Sequence, residues 1–150
     1  TYMMRLGKEG THKIGRYAVL NANYIKARLK DHYNVAFDVN CMHEVVFNDE
    51  KQQEHHVSTM DIAKRLLDFG YHPPTIYFPL IVSGALMVEP TETESKETLD
   101  EFCEAMIKIA EEAKINPEIL QQAPHRTVIK RVDGVKAARN PVVVCSTCCT

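Results

Sequence analysis

Residues Pro79 to Ser95, PLIVSGALMVEPTETES, carry the clearest succession of strand, loop and helix signals in the chain. Ala85 to Val88 is a short apolar run entered through Ser83-Gly84 and closed by Glu89-Pro90, and such punctuation predicts a buried strand. Glu89 to Glu94 then reads as an exposed acidic loop. Ser95 is placed to cap a helix in which Leu99, Phe102, Cys103, Met106, Ile107, Ala110 and Ala113 recur at spacings of three and four, the apolar stripe of a helix lying on a sheet. Glu94 and Glu97 fall at the positive end of that helix, where carboxylates are favoured. Strand, loop and helix of this kind occur in many α/β proteins, so the unit predicts architecture and carries no chemistry by itself.

A length of 150 residues with 45% apolar content suits one domain with its own core. A net charge of -2, with both signs interspersed, argues against a nucleic-acid surface or a polybasic membrane contact. No run is long and apolar enough to span a bilayer and no leader is evident, which makes a cytoplasmic protein the expectation. The five cysteines are an odd number. Cys145, Cys148 and Cys149 crowd the end of the chain, far from Cys41 and Cys103, which is no disulfide framework. The Cys145-x-x-Cys148 spacing is half a zinc site without a second half, so no metal site is expected.

Upstream, Gly7 and Gly10 are expected to break a first helical piece, with Thr11 capping a longer helix to about Lys30 and Ile14, Tyr17, Ala18, Ile25 and Leu29 as its buried stripe. Val35 to Phe37 and His43 to Phe47 read as a hairpin, and Asn48 to Val57 as a loop. Ser58 and Asp61 have the spacing of a capping box, opening a helix that Gly70 ends. His72-Pro73-Pro74 cannot be helical and forms a rigid elbow into an edge strand at Thr75 to Phe78. Downstream, Asn116-Pro117 starts a short helix, Val128 to Val132 reads as a strand, and Asp133 to Arg139 as a turn or two of helix. The order predicts an α+β domain with a small antiparallel sheet covered on one side by helices.

Five side chains stand out as candidate site residues. His43 opens a strand beside Glu44, although consecutive strand residues face opposite sides. His72 is held in place by two prolines, and Glu89, Thr91 and Glu92 follow a strand end on a rigid support. A capped strand end, a satisfied turn residue and solvated loop charge are the competing accounts. No GxSxG, HExxH, Walker or GxGxxG signature occurs, so these residues do not make a complete active site.

His72-Pro73-Pro74-Thr75, Phe78-Pro79 and above all Ala85 to Ser95 closely resemble the C-terminal domain of the glycine cleavage system P-protein, the glycine dehydrogenase (decarboxylating). Leu20-Asn21-Ala22-Asn23-Tyr24, His43-Glu44, Asp61 to Leu67 and Leu99 to Cys103 extend the resemblance, and Asn116 to Pro141 looks like the tail of the second subunit of the two-subunit bacterial form. The resemblance implies the small C-terminal domain of a fold-type I enzyme using pyridoxal phosphate, in which glycine loses CO2 and its aminomethyl remnant passes to the lipoyl arm of H-protein. It places the Schiff-base lysine upstream of Thr1, so that His12-Lys13 only mimics the dipeptide, no cofactor is expected on this chain, and the chain alone is inactive. The implied division is a helical lead-in over 1–33, the α+β domain over 34–123 and a tail over 124–150. The implied partners are the cofactor domain of the same polypeptide, the other P-protein subunit, lipoylated H-protein and glycine. His43, His72, Glu89, Thr91 and Glu92 become channel-lining candidates with shaping and hydrogen-bonding roles. Many relatives carry Gly-Thr-Leu-Met where this chain has Gly84-Ala-Leu-Met87, which argues against a side-chain role at Ala85, and Val142 to Thr150 does not look like the family's usual ending. A free-standing α+β interaction or regulatory module is the alternative from a different class.

Overall fold

A computed structural model of the chain describes residues 1–143; the cluster Cys145, Cys148 and Cys149 lies outside the described residues. Its elements run α1 (Tyr2–Leu29), β1 (Asn34–Val35), β2 (Val45–Asn48), α2 (Glu50–Gln53), α3 (Thr59–Asp68), β3 (Thr75–Ile76), β4 (Ala85–Val88), α4 (Lys96–Ile115), α5 (Pro117–Gln121) and α6 (Gly134–Arg139). The four strands form one sheet in the order β1-β2-β4-β3, antiparallel throughout. The quoted stretch therefore supplies a central strand.

Register explains which side of the sheet is covered. Val45 pairs with Val88 and Phe47 with Leu86, and residues directly opposite in an antiparallel pair share a face. All four are buried, whereas Val46 and Met87 on the other face are half-buried. Against the buried face lie Leu99, Cys103, Met106 and Ala110 of α4, Ile62 and Leu66 of α3, and Ile25 and Leu29 of α1, all in one cluster. Each large side chain in that cluster contributes about 1.5–3 kcal/mol. Tyr33 is fully buried and donates its hydroxyl to the Met106 carbonyl at 2.8 Å, so its polar end is satisfied inside the core. Burial pushes the Cys103 thiol up to about 11, which keeps it an inert core thiol.

The expected capping signals act as chemistry dictates. Ser58 accepts from the Asp61 amide while Asp61 accepts from the Ser58 amide at 2.8 Å, a complete capping box, and α3 gives way to Gly70 at φ 86. Ser95 accepts from the Thr98 amide at 3.2 Å at the start of α4.

Several expectations are corrected. The break in α1 falls at Gly7 alone (φ 64, ψ -173); Gly10 is helical, and Thr11 sits inside the helix with its hydroxyl donating to the Gly7 carbonyl at 2.7 Å. A threonine hydroxyl can satisfy a carbonyl four residues back as readily as it caps an end, and here it does so. Tyr17 is 47% exposed, and the buried phase of α1 runs through Asn21 and Ala22 instead. Residues 50–53 form the short α2, and Thr75–Ile76 is all of β3, because Tyr77 turns to φ 58. Val128 to Val132 is not a strand: Val128 is 99% exposed, and Arg131 is drawn back to the helices rather than paired in a ladder.

Candidate functional site

β4 carries the chain to Val88, buried in the sheet, and Pro90 ends the ladder, which leaves Glu89 projecting at a rigid strand end between two open cavities. One cavity, of about 360 Å³, brings together His43, Glu89, Thr91 and Glu92 over a floor that includes Ile14 and Met42. The other, of about 390 Å³, joins His72 and Glu89 with Pro73, Pro74, Met87 and Phe102. The five candidate residues thus fall around two neighbouring hollows that share Glu89, four in one and His72 in the other.

The pairing of His43 with Glu44 differs from expectation. Both precede β2, where strand alternation does not apply, and their side chains approach to 3.9 Å on the surface.

The loops that carry these residues are held by polar groups to which the sequence reading gave no role in the site. Asn21, 8% exposed on α1, donates to the Thr91 carbonyl at 2.8 Å, and Tyr2 donates to the Glu92 carboxylate. Thr91 and Thr93 share a hydroxyl hydrogen bond of 2.7 Å. On the other flank Asn23 clamps Cys41 in both directions, donating to its carbonyl at 2.9 Å and accepting from its amide at 3.0 Å, and this positions Met42 and His43. Lys26 donates to the Val39 carbonyl at 2.8 Å and pairs with Asp38 at 2.9 Å, and the lysine holds the Asp38 carboxyl below its ordinary value. Behind the loop, Asp100 accepts from Lys96 at 2.5 Å, from Tyr24, and from Arg28 at 2.7 Å, which keeps its carboxyl below the usual range. The signal for Asn21 was its place on the apolar phase of α1, between Ala18 and Ile25.

Neither cavity lining contains a lysine, arginine, serine or cysteine. What faces the hollows is apolar surface with threonine hydroxyls, two imidazoles and three carboxylates, which can orient a ligand and accept its hydrogen bonds. No group of three or more His, Cys, Asp or Glu side chains with metal-binding geometry occurs among the described residues. No helix among them is long and apolar enough to cross a membrane.

Together the sheet, the helices on one of its faces and the two hollows at a strand end define a small α+β domain. The family described as glycine dehydrogenase, C-terminal domain, matches residues 14–131, and the chain belongs to it. Over 143 residues the chain is 59% identical to a protein of Staphylococcus saprophyticus named probable glycine dehydrogenase (decarboxylating) subunit 2, covering 95% of this chain and 29% of that protein. The proteins of that name from Caldanaerobacter subterraneus and Halalkalibacterium halodurans are each 58% identical over 143 residues, covering 95% of this chain and 30% and 29% of theirs. The chain therefore spans less than a third of the length of the relatives it matches.

Proposed function

We propose that this chain is the C-terminal domain of a P-protein, and that within the complete enzyme it walls the path by which glycine and the lipoyl arm of H-protein reach pyridoxal phosphate. The relatives' name, glycine dehydrogenase (decarboxylating) subunit 2, supports the activity, and the word subunit supports a companion P-protein chain as partner. The observation that carries the role of these residues is the strand-end loop at Glu89–Glu92, fixed by Asn21 and Tyr2 and shared between two open cavities. His43, His72, Glu89, Thr91 and Glu92 shape that wall and hydrogen-bond to what passes it.

Pyridoxal phosphate needs a lysine for its aldehyde and cationic or amide donors for its phosphate, and the cavity linings offer neither lysine nor arginine. Lys13 is exposed on α1 and is part of neither lining, although Ile14 and Gly15 beside it line one of them. The two linings do not fit the cofactor, and on this reading it belongs to polypeptide outside the described residues, so no step of decarboxylation is routed through this chain. A cytoplasmic location goes with this reading.

The test is an exchange of segments. The matched 143 residues of the Staphylococcus saprophyticus protein are replaced by this chain, the chimera is combined with its companion subunit and H-protein, and exchange of labelled bicarbonate into glycine is measured. Activity within about tenfold of the parent is expected, and Glu89→Ala in the chimera lowers it with the fold intact. A folded chimera with no exchange contradicts the reading, and parental kinetics in Glu89→Ala remove that residue from the wall.

A further inference from the structure

From Pro73 through Val88 the chain carries no charged side chain, although a quarter of all its residues are charged. The strands at the two ends of this run are paired in the sheet, but the loop between them is turned outward: Leu80 is 86% exposed, Ile81 82%, Phe78 52% and Tyr77 46%. Four neighbouring large apolar residues at that exposure are unusual for a surface that stays in water.

The loop is also rigidly mounted. Tyr77 donates its amide to the Ala85 carbonyl at 2.8 Å and Val82 donates to the Pro79 carbonyl at 3.0 Å, closing the loop on itself. Val82 is buried beneath it, and Thr59 donates its hydroxyl to the Gly84 carbonyl at 2.6 Å, fastening the far end to α3. Leu80 and Ile81 are therefore displayed on a fixed frame and cannot fold back into the core. Two other groups of exposed apolar residues differ in setting, and the exposed run Tyr2 to Met4 is shorter and lies at the start of α1. Phe37, Val39 and Met42 alternate with Asp38, Asn40 and His43, and Val128, Ile129 and Val132 surround Lys130 and Arg131, so water solvates those segments.

We infer that the Tyr77–Ile81 loop is an interdomain contact, seated in an apolar, uncharged hollow of the polypeptide that precedes this domain in the complete protein. The inference rests on the C-terminal-domain reading above. The matched segment is 29% of a relative, so the unmatched 71% is more than twice its size and ample to cover the loop. A covalently attached occupant also acts at an effective concentration on the order of millimolar, which favours it over a second copy meeting the loop from solution.

Hydroxyl-radical footprinting of the isolated 150-residue chain and of the segment-exchange chimera tests this directly, because it reads side-chain exposure without turnover. In the chimera alone, oxidation at Tyr77, Phe78, Leu80 and Ile81 is expected to slow at least fivefold. A Leu80→Asp, Ile81→Asp double variant leaves the Tm of the isolated chain unchanged and lowers that of the chimera by several degrees. Equal oxidation rates in the two proteins overturn the inference. So does protection that rises with the concentration of the isolated chain, which assigns the loop to a second copy, or protection that appears only when the companion subunit is added. A protected loop in an inactive chimera upholds the contact and removes the proposed activity; a free loop in an active chimera does the reverse.

Discussion

Replacing Asp68 with Ala tests how the chain is held together beyond its helical core. Asp68, 4% exposed at the end of α3, accepts at one oxygen from the amides of His125 and Arg126 at 2.6 and 2.8 Å, and at the other from Arg65 at 3.1 Å. These bonds strap residues 125–131 across α3 and α5, where Arg131 completes the closure on Asp61 at 2.6 Å. A hydrogen bond to a charged group contributes about 1.5–3 kcal/mol. The freed amides can turn to water as the strap lifts, and Arg65 keeps its two-pronged contact with Glu112 at 2.9 and 3.0 Å, so the three losses do not add in full. The expected cost is roughly 2–4 kcal/mol, or about 5 to 15 °C in Tm for a domain of this size. Urea unfolding followed by circular dichroism measures it, and a loss below about 0.5 kcal/mol refutes the strap. The pH dependence supplies a second readout. Burial pushes the Asp68 carboxyl up, but the amides of Arg126 and His125 together with the Arg65 guanidinium outweigh it and hold the carboxyl below its ordinary value. Its stabilisation is thus complete above the unfolded-state value of about 3.9 and is lost as pH falls through the lower folded value. Wild type should lose this contribution in acid, whereas Asp68→Asn, already lacking it, should show a flatter acid limb.

Gly84→Ala should be severely destabilising, by about 2–4 kcal/mol, because φ is 64 and a Cβ there would lie 1.9 Å from an Asp49 oxygen. Asp49 cannot swing away freely, since its other oxygen accepts from the Thr59 amide at 2.8 Å; thermal melts within 1 °C of wild type would contradict this. Asn21→Ala leaves the fold standing but frees the loop at Thr91, at a cost of about 1 kcal/mol and with faster amide exchange confined to residues 89–94; unchanged exchange there would show that the loop is held by other means.

How much of this was legible follows from where the physical signals lie. The strand at Ala85–Val88, the capping box at Ser58 and Asp61 and the helix behind Ser95 read correctly because each rests on a short-range rule of apolar period, cap or proline. The reading failed where two local rules compete: Thr11 can cap or bond backwards along a helix, and Val128 to Val132 has strand composition but no neighbouring strand with which to pair. Glu89, Thr91 and Glu92 stood out as a strand-end loop, and the structure gathers them with His43 around one cavity. What holds that loop was only half visible: Asn21 falls on the apolar phase of α1, but the carbonyl it meets lies 70 residues away in sequence. The distant partner in such a contact, whether the Thr91 carbonyl or the strap that Asp68 holds, leaves no periodic trace.

On the proposed reading, these residues wall a cofactor site without holding the cofactor. Incubating the segment-exchange chimera with pyridoxal phosphate, reducing with borohydride and mapping the adduct by peptide mass tests it most directly. A stoichiometric adduct is expected on a lysine of the preceding polypeptide and none within residues 1–143; a stoichiometric adduct at Lys13 or any other lysine of this chain would contradict that reading.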